Sequence, residues 1–151
     1  MILYIIFMET KLSVIENILK LTDEIKDIIY SYLPLKITIF LNKRIYIKNH
    51  HLMRKYIKTN QYENYIRAMI RRDNNFVFEY LIRENFEKWL FFKKYTYKRT
   101  LFSNYIYFLL EYSIENESEK CKQIVNKYII NSGLSKNQHK KNTCKNIRWT
   151  N

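Results

Sequence analysis

Ile25, Ile28, Ile29, Tyr32 and Leu33 recur at i, i+3, i+4, i+7 and i+8, directly before Pro34, the only proline in the chain. That spacing places five large apolar groups on one stripe of a helix. Thr22 or Asp23 can cap its N-terminus, and Asp23 and Glu24 put negative charge where the helix dipole favours it. Pro34 has no N–H to donate and pushes Leu33 out of helical geometry, so the helix must end there. The stripe then needs an apolar surface to cover it.

Beyond the proline, Lys36 to Asn42 is rich in β-branched residues (Ile37, Thr38, Ile39). Propensity alone allows a strand, while the context favours a helix of one to two turns. From Lys43 to Lys58 the apolar positions Ile45, Tyr46, Ile47, Leu52, Met53, Tyr56 and Ile57 predict one longer helix with basic residues between them. Leu21, Glu24 and Ile25, then Ile29, Tyr32 and Leu33, then Leu41, Asn42 and Lys43 with Tyr46 after them, together resemble the F-box. Thr22 stands where that family usually has proline, and Ile45 where a tryptophan is common. The resemblance implies a three-helix module over residues 21–58 that docks to the Skp-type adaptor of a cullin-RING ubiquitin ligase. It makes Leu21, Ile25, Ile28, Ile29, Leu33 and Pro34 the expected anchors, with Leu41 in support.

Composition bounds the rest. At 47% hydrophobic and 17% aromatic, the 151 residues are too apolar for a disordered chain in spite of a formal net charge of +13. Gly133, Pro34 and Ala68 are each alone of their kind, whereas Ile, Lys, Asn, Tyr and Phe abound. These are residues of A/T-rich codons, so genome composition accounts for part of the lysine count. The positive charge lies mainly beyond residue 50 and favours anionic partners, nucleic acid among them. Cys121 and Cys144 are too few for a disulfide framework, and MILYIIF at the start is too short to span a membrane and lacks the basic flank of a signal peptide. Met8 is an alternative start. The expectation is a reducing compartment, the cytoplasm or the nucleus.

Along the chain, Leu12, Ile15, Ile18 and Leu19 predict a leading helix within residues 1–20. Residues 62–132 read as helix pairs. Tyr62 to Arg72 and Phe76 to Glu84 flank an Asp73-Asn74-Asn75 turn; Leu101 to Glu115 and Glu119 to Asn131 flank Asn116-Glu117-Ser118-Glu119, which has the pattern of a capping box, and Gly133 fits a C-terminal cap. Phe86, Trp89, Leu90 and Phe91 in the connector cluster as core aromatics would. Aligning Asp73 with Asn116 gives a repeat longer than a standard ankyrin period; the pairs resemble degenerate ankyrin repeats or form a generic helical bundle. Residues 133–151 form a basic tail with no acidic residue. An F-box-like start, irregular helix pairs and this ending are similar to proteins of large DNA viruses with A/T-rich genomes.

Catalytic constellations are missing from the pattern. One glycine rules out a phosphate-binding loop. His50 and His51 are adjacent, so on a helix they diverge and make no i, i+4 metal pair; His139 and Cys144 lack a Cys-x-x-Cys partner. No metal or cofactor is expected. Arg44, Lys48 and Lys55 would share a face if their segment were one helix, and Lys93, Lys94, Lys98 and Arg99 alternate with Tyr95 and Tyr97, so both groups are candidates for following a phosphate backbone. The expectation is therefore a mostly α-helical, all-α-class, non-enzymatic adaptor; the alternatives are a basic nucleic-acid-binding accessory protein and a viral structural or scaffold protein.

Overall fold

The computed structural model describes residues 20–135 and the backbone of Lys145–Asn146. The fold is mostly helical, and the chain divides into two compact units, Met1–Tyr56 and Ile57–Asn151. The leading helix expected before Lys20, and all of the basic tail except residues 133–135 and the backbone of Lys145–Asn146, lie outside the described residues.

In the first unit, α1 (Asp23–Ser31) opens with the Lys26 N–H on the Thr22 carbonyl at 3.0 Å and carries Asp23 and Glu24 in its first turn. It stops where the proline requires. The Pro34 carbonyl accepts from Ile37 at 2.8 Å, which starts α2 (Leu35–Leu41). The segment Lys36 to Asn42 is thus helical, its β-branched residues notwithstanding. Asn42 interrupts the chain by capping α3 (Lys43–Asn49): its side-chain oxygen accepts from the N–H groups of Arg44 at 2.8 Å and Ile45 at 3.2 Å.

The single helix expected from Lys43 to Lys58 is broken. The Asn49 amide donates to the Ile45 carbonyl at 3.0 Å, and the chain tightens into a 3₁₀ turn over His50–Leu52 before the short α4 (Met53–Tyr56). A polar side chain that bonds a nearby carbonyl offers the backbone an alternative to continuing the helix.

The second unit is a helix pair, a hairpin and a second helix pair. Helices α5 (Thr59–Arg71) and α6 (Asn75–Phe91) are followed by β1 (Lys93–Tyr97) and β2 (Thr100–Asn104), then by α7 (Tyr105–Glu115) and α8 (Glu119–Asn131). β1 pairs antiparallel with β2, with Lys93 opposite Asn104 and Tyr97 opposite Thr100, and β3 (Lys145–Asn146) adds to the far side of β2. Two corrections follow. The helix expected from Leu101 begins only at Tyr105, where Asn104 caps it by accepting from Tyr107 at 3.0 Å; the helix expected to end at Glu84 runs on to Phe91.

Within this unit the pairs stack, α5 against α7 and α6 against α8. Helix α7 is the hub, with Tyr105 to Leu110, Tyr112 and Ser113 all buried, as expected of a helix apolar on every side. Its aromatics knit the hairpin to the helices: Tyr95 lies 4.7 Å from both Tyr105 and Phe108, Phe102 5.4 Å from Phe108, and Trp89 5.3 Å from Tyr105. Such offset and edge-on pairs add to the stabilisation from area burial alone.

Three helix ends close in the same way. In each, a residue with positive φ follows the last turn and two N–H groups fold back: Asp73 and Asn74 onto Ile70 and Met69, Glu117 and Ser118 onto Ile114 and Ser113, Gly133 and Leu134 onto Ile130 and Ile129. The repeat therefore aligns Asp73 with Glu117, one residue beyond the alignment that sequence suggests.

Candidate functional site

Helix α1 buries none of its residues. Of the expected anchors, Leu21, Ile25, Ile28, Pro34 and Leu41 are exposed, while Ile29 and Leu33 are half-buried. Ile28 and Leu41 keep 55% and 56% of their surface, and Tyr32, Leu35, Ile37, Phe40 and Ile47 of the same unit are exposed as well. Among the described residues of this unit the buried ones are Thr38, Ile39, Tyr46 and Met53 instead. A small unit that spends α2, α3 and α4 on its own interior and leaves the apolar stripe of α1 open has a surface whose coverage would be favourable at ~25 cal/mol per Å².

Two shallow grooves break that surface. One, of about 360 Å³, is lined by Asp23, Lys26, Asp27 and Tyr30 of α1 and by Leu41, Asn42, Lys43 and Arg44. The other, of about 420 Å³, brings Leu33 and Leu35 together with Arg44, Ile45 and Lys48. Charges of both signs from α1 and the cations of α3 thus stand beside apolar side chains in these grooves.

The basic candidates divide. Arg44 and Lys48 share α3 and are exposed, but the turn at His50–Leu52 sets Lys55 on a different helix, so the three do not form one continuous face. Lys93 and Lys94 belong to the second unit, on β1. The tyrosines beside them are not free to stack bases. Tyr95 is buried and donates its hydroxyl to the Glu63 carboxylate at 3.0 Å, while the Tyr97 ring has the Arg67 guanidinium at 5.2 Å and the Lys98 ammonium at 5.5 Å. Burial first, and then the Glu63 charge, hold the Tyr95 hydroxyl well above the usual phenol range.

Sequence reasoning missed two aromatics. Phe91, expected in the core, is 76% exposed, and Phe92 beside it is 50% exposed. The signal was the adjacency itself: successive residues at a helix end cannot all face one core, and Trp89 and Leu90 already do.

Among the described residues no three His, Cys, Asp or Glu side chains cluster as a metal would need, and no helix is long and apolar enough to cross a membrane. His50 and His51 stand with rings edge to face, 6.1 Å apart. His139 and Cys144 lie outside the described residues. Comparison with protein-family models, with curated proteins and with solved structures finds no match for this chain.

Proposed function

We propose that this protein is a non-enzymatic adaptor whose F-box-like segment, residues 21–58, docks to the Skp-type adaptor of a cullin-RING ubiquitin ligase, and whose stacked helix pairs select a target. The observation that carries this is the open apolar stripe of α1, where Ile25 and Ile28 are exposed on a helix with no buried residue. Recognition of this kind lays an amphipathic helix against a complementary groove, with a few apolar anchors supplying affinity. The helix pair, hairpin, helix pair order of the second unit agrees with an ankyrin-like repeat, in which a β-turn precedes two helices. Concave or flat stacks of that type commonly serve as binding surfaces.

The test is direct binding of the purified chain to a purified Skp adaptor, read by calorimetry, together with affinity purification from host cells. Ile25→Asp and Ile28→Asp should abolish binding while the far-ultraviolet spectrum stays that of the parent. Absence of binding by the parent chain, or loss of helix content in both variants, would end the proposal.

A further inference from the structure

Between Lys88 and Leu110 the chain has no acidic residue, and within that stretch the hairpin carries Lys93, Lys94, Lys98 and Arg99, all exposed. None of these four sits in an ion pair among the described residues. The carboxylate that does face the hairpin, Glu63, is already engaged by the Tyr95 hydroxyl and by Arg67 at 3.4 Å. A strand rises ~3.3 Å per residue, so the two pairs of cations stand on the order of 15 Å apart along β1, at the edge of the sheet. That is a linear positive track.

At its start sit the two exposed phenylalanines. Phe92 is fixed: its carbonyl accepts the Tyr105 N–H at 3.0 Å, its ring stacks on Tyr105 at 6.0 Å and 21°, and Tyr95 meets it edge-on at 5.6 Å. Half of the residue's surface remains open, so the held ring offers a flat platform rather than a projecting wedge. Phe91 beside it is open over most of its surface.

The turn adds an independent observation. Lys98 and Arg99 occupy both central positions of a two-residue hairpin turn with φ of 45° and 66°, and Lys94 also has a positive φ of 57°. Left-handed geometry at a residue other than glycine costs ~1–3 kcal/mol. Asparagine and glycine are the favoured residues there, and asparagine is plentiful in this chain. Cations are held where folding alone would choose otherwise.

We infer that the Phe91–Phe92 platform and the basic β1–β2 hairpin form a binding site for single-stranded nucleic acid, with bases stacked on the phenylalanines and the phosphate backbone following Lys93, Lys94, Lys98 and Arg99. A linear array of charge next to flat aromatic faces matches how such strands are bound without sequence preference. The site lies within the second unit, on elements other than those of the proposed adaptor segment.

Fluorescence anisotropy of a dye-labelled oligo(dT) with the full chain tests it. Affinity should fall linearly with the logarithm of salt, and Lys93→Gln/Lys94→Gln should reduce that slope by about 0.7 per lost phosphate contact. Phe91→Ala, at an exposed position that the fold does not need, should weaken binding on the order of tenfold with the slope unchanged. Arg44→Gln/Lys48→Gln should leave affinity as in the parent. The inference is overturned if Phe91→Ala binds like the parent and inorganic polyphosphate competes equally, which would mean charge alone. It is also overturned if the chain binds vesicles of anionic phospholipid and not the oligonucleotide.

Discussion

The Asp73 carboxylate accepts the backbone N–H of Cys121 at 2.9 Å, and that of Lys120 at 3.2 Å, so a turn residue of the first helix pair caps the first turn of α8 in the second. Both partners are free amides at a helix N-terminus, where a negative charge is also favoured by the dipole. Asp73→Ala should lower the unfolding free energy by about 1–2 kcal/mol, measured by urea denaturation at neutral pH. Burial pushes the Asp73 carboxyl up, but the Cys121 and Lys120 N–H groups, with the Cys121 thiol and the Lys120 charge, outweigh it and hold the group below its ordinary value. A depressed folded-state value means that the stabilisation is present above the unfolded-state value, ~3.9, and is lost as pH falls through the folded-state value. The stability difference between parent and Asp73→Ala should therefore shrink on acidification below about pH 4.

Ser118 supplies the second link between the same two turns. The capping-box pattern expected at this site does not form: the Ser118 hydroxyl donates to the Ile70 carbonyl at 2.6 Å, and its side chain makes no cap bond within α8. Ser118→Ala should cost about 1 kcal/mol. Combined with Asp73→Ala, the loss should differ from the sum of the two by more than about 0.5 kcal/mol, because both bonds hold one contact, and a double-mutant cycle reads the difference.

The hairpin turn offers the opposite sign. Lys98→Asn/Arg99→Gly places at both left-handed positions the residues that adopt them most readily, so the melting temperature should rise, with a gain of about 1 kcal/mol or more. The same variant should lose oligonucleotide affinity. Stability and binding moving in opposite directions in one protein is the expected result, checked by thermal denaturation beside anisotropy.

Cys121 is fully buried, and its thiol is pushed up to about 12, by burial first and then by Asp73. Thiolate is the reactive form, so the native protein should leave this side chain unmodified by a maleimide. Peptide mapping after labelling, with and without urea, should find the Cys121 peptide alkylated only in the unfolded chain.

How far the sequence discloses this fold depends on which signal was local. Pro34 ends α1, and the turn at Asp73 and the cap at Gly133 follow from single residues with one strong conformational bias. The hairpin was hidden for a physical reason: Lys98-Arg99 carries no turn signature, and Leu101 and Phe102 run into the apolar helix α7 without a change of period. Asn49 likewise gave no warning of the break that follows α3, since its effect depends on where its amide finds a carbonyl. For the candidate sites, the stripe of α1 was legible because helical spacing is one-dimensional. The platform at Phe91 and Phe92 was not, because exposure is decided by neighbours distant in sequence.

Glu117 occupies in the second turn the place that Asp73 holds in the first, with the same positive φ and the same fold-back of amides behind it. It is exposed, and among the described residues its carboxylate caps no helix. The connector that joins one layer to the next is thus present again in the second turn, where among the described residues its carboxylate receives no amide. A helix pair grafted so that its first amides meet Glu117 would lengthen the stack by the device the protein already uses.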